Sequence, residues 1–535
     1  MATQHNKLVT PLQNILILVQ HNKLITLQRG IMATPAENLA SSLVLLKSLQ
    51  AQGKVAIRSA DLTRVHRNRL VKNGFLIEVM KGWYYPTNPL QQPGETTSWF
   101  ISYWRFCAQY LHHRFGDDWI LSAESSLLLQ SGNKRVPRKL IVRSPKASNN
   151  LISLVHNTSI LAIKASVPKE NVEVIDGINT YRLPAALLSC SPSFFRNNKL
   201  DCRAALTAIR TPSEILAPLL DGGHSITASR LAGAFDNIGR KQFSQQIIKT
   251  MQAAGYDVRL KDPFTEPTPL SLIDDEFSPA VNRLKLLWES MRGSVIKLIP
   301  KAPQRKMSEK KVLARVDEKY VTDAYHSLSI EGYQVSEELI ERVRKGNWNP
   351  DQRPEDKEQQ SAMAARGYWL TFQAVRKSLK RILSGDNSEE VISEDLGNWY
   401  LQLFSPSVSA GLLEPHDLAG FRNNQVYIRG SYHVPPSCEN VHKMMPAFFK
   451  LLKEEKSPAV RAILGHFCFV YIHPYFDGNG RLGRFLMNLL FVSAGYPWLV
   501  IHSDERKRYF AALEEASINN DISAFVKFLA ELMEQ

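Results

Sequence analysis

Apolar positions Leu39, Leu43, Leu46 and Leu49 fall at helical spacing from Ala36 onward, predicting an amphipathic helix with one buried face. Ser59 is placed to cap a second short helix, and a third runs from Thr63 to Lys72 until Asn73-Gly74 stops it. Two short apolar strands, Phe75 to Met80 and Trp83 to Tyr85, meet across Lys81-Gly82 in a tight hairpin. Helix, helix, basic helix and hairpin make a winged helix-turn-helix. In that arrangement the third helix enters a DNA major groove, with Arg64, Arg67, Arg69 and Lys72 near phosphates or base edges and Lys81 on the wing. A winged helix used for protein contact or dimerisation has the same pattern.

Residues 91–263 mix strands, such as Lys139 to Arg143, with helices, and hold no catalytic constellation. The proline-bearing stretch from Asp262 to Pro269 reads as a domain boundary, and Pro300 to Lys311 reads as a basic linker. Further on, Ser457-Pro458 opens a helix as an N-cap followed by a first-turn proline should. Val460, Ile463, Leu464, Phe467 and Tyr471 make it apolar almost all round, which predicts a core helix. It ends at His473-Pro474, because proline cannot continue the hydrogen-bond ladder. A loop, Tyr475-Phe476-Asp477-Gly478-Asn479-Gly480, leads into a new helix at Arg481-Leu482-Gly483-Arg484 that runs to Gly495.

A glycine-bearing loop entering a helix N-terminus lets backbone N–H groups approach an anion, and the helix dipole adds about half a positive charge there. Arg481 and Arg484 are three apart and project from one face, so both can grip a polyphosphate. Asp477 is placed to hold a magnesium ion that bridges phosphates. His473 can take a proton from an incoming hydroxyl.

The run His473-Pro474-Tyr475-Phe476-Asp477-Gly478-Asn479-Gly480-Arg481-Leu482-Gly483-Arg484 resembles the signature of the Fic (Fido) family, with Tyr475 where that pattern has phenylalanine. The resemblance implies an all-α C-terminal domain with a small β-hairpin flap, whose reaction moves AMP from ATP onto a protein Ser, Thr or Tyr hydroxyl. His473 would be the base, Asp477 the Mg2+ ligand, the backbone of Gly478, Asn479 and Gly480 the anion hole, and Arg481 and Arg484 the grip on the outer phosphates. Val426, Tyr427 and Ile428, within Gly420 to Gly430, would be the flap that aligns the target chain by strand addition. Tyr509 matches a position that lines the nucleotide pocket, with core packing as its alternative. Ser327-Leu328-Ser329-Ile330-Glu331-Gly332 fits the family's inhibitory pattern, on a helix read from about Arg315. Ser327 and Glu331 share a face, and a carboxylate delivered to Arg484 would occupy the γ-phosphate position.

The stretch Arg67 to Leu76, followed by Lys81-Gly82-Trp83-Tyr84, resembles the N-terminal domain of AbiEi-type antitoxins, which implies a DNA-binding repressor and a fused toxin and antitoxin arrangement. The expected chain is therefore multidomain: a tail over 1–31, a winged helix over 32–90, an AbiEi-like mixed α/β domain over 91–263, a linker with a connecting helix over 264–312, and the Fic-like domain over 313–535 with its core at about 390–533. Removal of AMP, with Glu331 positioning water, and a DNA-bound regulator that only senses nucleotide are the competing functions. UMP or phosphocholine transfer also stays open. Intact Gly478 and Gly480 argue against phosphate transfer.

Charge sharpens the picture of the N-terminal part. The formal net charge is +15, and residues 1–300 hold 36 Lys and Arg against 21 Asp and Glu, while the remainder holds 30 against 30. An excess confined to one region points to a local anionic partner, nucleic acid above all. Five cysteines without a CxxC pair or zinc-finger spacing argue against disulfides and zinc and fit a reducing cytoplasm. No apolar run is long enough to cross a bilayer, so no membrane partner is expected, whereas the target protein could be the chain itself and a homodimer is possible. His5 to Thr10 nearly recurs as His21 to Thr26, which reads as a translated DNA repeat with Met32 as the true start.

Overall fold

The computed structural model describes residues 34–89, 96–264, 278–302, 307–346 and 360–534. The tail over 1–31 and the Thr265 to Pro269 part of the expected boundary lie outside the described residues. The chain divides into two units, residues 1–270 with 427–434, and residues 271–426 with 435–535.

The N-terminal unit begins with α1 (Pro35–Ala51), capped by Thr34, whose hydroxyl accepts the Glu37 N–H while Glu37 reaches back to the Thr34 N–H. Strand β1 (Ile57–Arg58), helix α2 (Arg64–Lys72) and strands β2 (Leu76–Met80) and β3 (Trp83–Pro86) follow, and the sheet order is β1-β3-β2. The helix expected from Ser59 does not form. Asp61 instead accepts from the Arg58 backbone N–H at 2.8 Å and pairs with Lys54 at 3.0 Å, which closes 59–62 as a turn. Leu43, Leu46, Ile57, Leu62, Leu70, Leu76 and Tyr84 bury together between helices and sheet.

Next come α3 (Thr97–Phe115), β4 (Ile120–Leu121) and α4 (Ala123–Gln130), then β5 (Lys139–Ser144), β6 (Asn150–Ser153) and β7 (Ser159–Lys164). The sheet order is β4-β5-β7-β6, with β5 and β7 parallel and the other pairs antiparallel. A hairpin of β8 (Val172–Ile175) and β9 (Ile178–Tyr181) precedes six helices: α5 (Leu183–Ser189), α6 (Pro192–Asn197), α7 (Lys199–Thr207), α8 (Ser213–Gly222), α9 (Ser225–Asn237) and α10 (Lys241–Ala253). Residues 427–434 are counted with this unit: the Tyr432 ring lies 4.6 Å from Phe100, and the Gly430 N–H donates to Thr97 Oγ1 at 3.3 Å.

The α-helices of the C-terminal unit are α11 (Pro279–Leu298), α12 (Glu309–Ile330), α13 (Glu337–Arg344), α14 (Gln360–Leu383), α15 (Ser388–Ser409), α16 (Cys438–Glu454), α17 (Pro458–Ile472), α18 (Asn479–Ser493), α19 (Arg506–Asn519) and α20 (Ser523–Glu534), and no strand occurs among its described residues. Helix α14 packs along α15 and α17 along α18. The first pair approaches closely because a Cβ on Gly367 would come within 2.0 Å of the Leu403 carbonyl oxygen. No helix among the described residues is long and apolar enough to cross a membrane, and all five cysteines are free.

Candidate active site

Helix α17 is the buried support of the site: Val460, Ile463, Leu464, Phe467 and Ile472 are all inaccessible. His473 is its C-cap, at φ 54°, a left-handed conformation uncommon outside glycine and asparagine. This turn takes the imidazole off the helix axis just before Pro474. The His473 Nδ1 lies 3.2 Å from the Val470 carbonyl oxygen, which can only accept. That contact assigns the proton to Nδ1 and leaves Nε2 bare, the state a base needs. Desolvation lowers the imidazole to about 4, opposed by the Val470 hydrogen bond and reinforced by the Arg422 charge, so the ring is neutral at pH 7.

The loop that follows is stapled by Asn479. Its side chain accepts the Tyr475 N–H at 2.9 Å and donates to the Tyr475 carbonyl at 2.8 Å. Tyr475 is 2% exposed and stacks on Tyr400 with centroids 4.0 Å apart, so the tyrosine keeps the packing role of an aromatic at this position. Gly478 caps α18 at φ 79°, and a Cβ there would meet Leu403 Cδ2 at 2.7 Å. Backbone conformation and space therefore both require glycine. The Asp477 carboxylate accepts the Gly478 N–H at 2.7 Å and lies 3.4 Å from Arg481, with its side chain 47% exposed.

Magnesium fits this arrangement in a limited way. No group of three or more His, Cys, Asp or Glu side chains that could hold a metal occurs among the described residues. A half-exposed carboxylate suits an ion completed by phosphate oxygens and water, which is the habit of Mg2+.

Both signature arginines are buried, Arg481 at 1% and Arg484 at 3% exposed. Arg484 is fully engaged on one edge. Its Nε donates to Ser327 Oγ at 2.9 Å, and its Nη2 donates to the Ser327 carbonyl at 3.1 Å and to Glu331 Oε1 at 2.8 Å. Glu331 Oε1 also lies 2.5 Å from where a Cβ on Gly480 would stand, so the carboxylate covers the glycine at the start of α18. Helix α12 carries Ser327 and has Glu331 as its C-cap, and it starts at Glu309, earlier than the periodicity indicated. Arg506 Nε holds the end of that helix by donating to the Ile330 carbonyl at 2.7 Å.

Tyr509 is 1% exposed, and its hydroxyl lies 2.9 Å from His466 Nε2 among Phe510, Phe525 and Phe528. Of the flap residues, Val426 is buried in the C-terminal unit, while Tyr427 and Ile428 are counted with the N-terminal one. No ladder forms across 420–437, so the expected hairpin is absent as a β structure. Side chains satisfy the backbone there instead: Arg422 donates to the Asn424 carbonyl at 2.9 Å, and Gln425 Nε2 donates to Pro435 at 2.7 Å.

Arg422 was not distinguishable by sequence, yet it anchors His473. Its Nε donates to the His473 carbonyl at 2.8 Å, and its backbone N–H donates to the Pro474 carbonyl at 2.9 Å. In the N-terminal unit Arg64, Lys72 and Lys81 are exposed. Arg69 instead donates to the Asn38 carbonyl at 2.8 Å and to Ser42 Oγ at 2.9 Å, and Arg67 donates to the Ser59 carbonyl at 3.1 Å.

The loop 473–484 thus runs from a neutral imidazole at the end of one helix to a glycine-led helix start that carries two buried arginines, one of them paired with a carboxylate. Residues 393–491 match the Fic/DOC family. A protein adenylyltransferase Fic of Drosophila yakuba is 40% identical over 129 residues, covering 23% of this chain and 26% of that protein. The protein of the same name from Drosophila virilis is 32% identical over 222 residues, covering 41% and 42%. The chain thus spans well under half the length of these relatives. Fic-1 of C. elegans superposes with a TM-score of 0.35 at 18% identity, covering 63% of this chain and 96% of the C. elegans chain.

Proposed function

We propose that the C-terminal unit is an autoinhibited protein adenylyltransferase. The carrying observation is that a carboxylate, Glu331, already sits against Arg484 above Gly480, as an anion belonging to the site would. ATP would lay its outer phosphates against Arg481, Arg484 and the backbone N–H groups of 478–480. Asp477 would hold a Mg2+ ion, which would neutralise phosphate charge when bound. His473 Nε2 takes the proton of a target hydroxyl as that oxygen bonds to the α-phosphorus, the bond from the α-phosphorus to the bridging oxygen breaks, and pyrophosphate leaves. With Glu331 in place the γ-phosphate has no room, so ATP binds only unproductively.

The N-terminal unit is proposed to bind DNA through α2 and the β2–β3 hairpin, supported by the basic excess of residues 1–300 and the exposure of Arg64, Lys72 and Lys81. The AbiEi likeness makes a self-regulating operon the working context. The test uses ATP labelled in the α-phosphate with purified protein and cell lysate. Glu331→Gly should raise incorporation at least tenfold, and His473→Ala in that background should abolish it. No incorporation by the Glu331→Gly protein would end the reading, whereas release of free AMP from a modified target would favour removal of AMP instead.

A further inference from the structure

Arg481 is held in an unusual way. Its guanidinium is almost completely buried, its Nε has no hydrogen-bond partner, and its ion pair with Asp477 is long at 3.4 Å. A buried cation so weakly paired needs another source of stabilisation. Two aromatic rings supply it. Arg481 Cζ lies over the ring of Phe404, from α15, and over the ring of Tyr333, 5.3 Å from each centroid. A ring face can hold a guanidinium by its flat side while its in-plane N–H donors meet other groups. The two rings therefore hold the guanidinium between them, and Phe404, which has no polar atom, takes none of its donors.

The backbone brings Tyr333 there deliberately. Gly332 adopts φ 92° after the last residues of α12, its N–H donates to the Ser329 carbonyl at 3.0 Å, and the Tyr333 N–H donates to the Leu328 carbonyl at 3.1 Å. This is a Schellman stop, in which the left-handed glycine turns the chain back on the helix end. The glycine of the inhibitory hexamer thus has a physical purpose: it delivers the tyrosine two residues after Glu331 onto the first signature arginine.

We propose that Tyr333 is a positioning residue for nucleotide binding, which with Phe404 sets the plane of Arg481 so that its N–H edge faces the outer phosphates of ATP. The proposal rests on reading residues 478–484 as the ATP site. It gives one short segment two opposed tasks, because Glu331 occupies Arg484 while Tyr333 organises Arg481. Release of the brake must then leave Tyr333 on its arginine.

The test compares full-length Glu331→Gly with the same protein carrying Tyr333→Ala, Tyr333→Leu or Tyr333→Phe, reading equilibrium binding of Mg·ATP and, separately, KM and kcat for AMP transfer. Loss of the ring face should weaken ATP binding and raise KM about five- to thirtyfold, with kcat little changed. Tyr333→Phe should bind within about twofold of its parent, the latitude a retained ring face allows, and Tyr333→Leu should resemble Tyr333→Ala although it keeps most of the volume. Unchanged affinity in Tyr333→Ala, or a phenylalanine variant as weak as alanine, would overturn the proposal. If Glu331→Gly binds ATP but transfers nothing, the transferase reading fails while the affinity series still decides Tyr333. If it binds no ATP, both fail.

Discussion

Glu331 Oε1 accepts from Arg484 Nη2 at 2.8 Å while standing 2.5 Å from the place a Cβ on Gly480 would take. One oxygen thus satisfies the second arginine and fills the space above the helix N-terminus. In the proposed function, a substrate phosphate would have neither until the carboxylate leaves. The pair is charge-assisted and mostly shielded from water, with the two side chains 4% and 26% exposed, so it holds more firmly than a surface ion pair.

Ser327 shares the hold on Arg484 through its hydroxyl and its carbonyl. Ser327→Ala removes only the hydroxyl and should loosen the brake by about 1 to 2 kcal/mol. Initial rates of AMP incorporation should then lie between wild type and Glu331→Gly, about five- to thirtyfold above the former. A rate equal to wild type would remove Ser327 from the brake.

The pH profile of the released enzyme should be flat at neutral pH and far into the acid range. Burial holds His473 at about 4, so the base form persists as pH falls through 6 and is half lost near 4. An imidazole at its ordinary value would lose half its activity near 6.5. Initial rates of Glu331→Gly between pH 4.5 and 8 separate the two cases.

Stability should follow a different curve, governed in part by His466. Its imidazole is inaccessible and burial lowers it to about 4, so between 6.5 and 4 the unfolded chain binds the extra proton. Stability therefore falls as pH drops through that window, by on the order of 3 kcal/mol from this group. His473 acts in the same direction. Asp323 acts oppositely: burial raises its carboxyl to about 6, so its contribution is lost as pH rises through 6. Denaturant midpoints of His466→Gln and wild type at pH 7 and 5 should show a shallower pH dependence in the variant.

Arg422→Ala should lower kcat in the Glu331→Gly background by about 10- to 100-fold, because the His473 carbonyl loses the guanidinium that holds it, while the backbone bond to Pro474 stays. KM for ATP should change little, since Arg422 faces the base and not the arginines. A change confined to KM would contradict this placement.

Replacing Arg64, Lys72 and Lys81 together by alanine should weaken DNA binding for all sequences and reduce the slope of log affinity against log salt by about 2 to 3. Arg69→Ala should instead lower thermal stability, because Arg69 ties α2 to the Asn38 carbonyl and Ser42 of α1. Fluorescence anisotropy on duplex DNA across a salt series, with melting curves alongside, checks both outcomes.

What the sequence revealed depended on how far each contact reaches along the chain. The loop from His473 to Arg484 is twelve consecutive residues whose helix ends, proline and glycines are local features, so its course was legible. Ser327 and Glu331 share a face by helical spacing, and the distant Arg484 was supplied by the family pattern. Arg422 was opaque, because an arginine within a loop shows nothing of a partner 51 residues away. Tyr333 and Phe404 are ordinary aromatics until the fold sets them on Arg481. The turn at 59–62 escaped for a smaller reason: Asp61 competes for backbone N–H groups and closes a turn where a helix was expected.

The order of the parts along the chain has a consequence for the newborn protein. Glu331 precedes Arg484 by 153 residues, so at ordinary rates of translation α12 leaves the ribosome roughly 8 to 30 seconds before the catalytic loop is complete. The restraint is waiting when the site first assembles. The transfer proposed above, encoded in this order, would start out restrained, and no nascent chain would have to wait for its own brake.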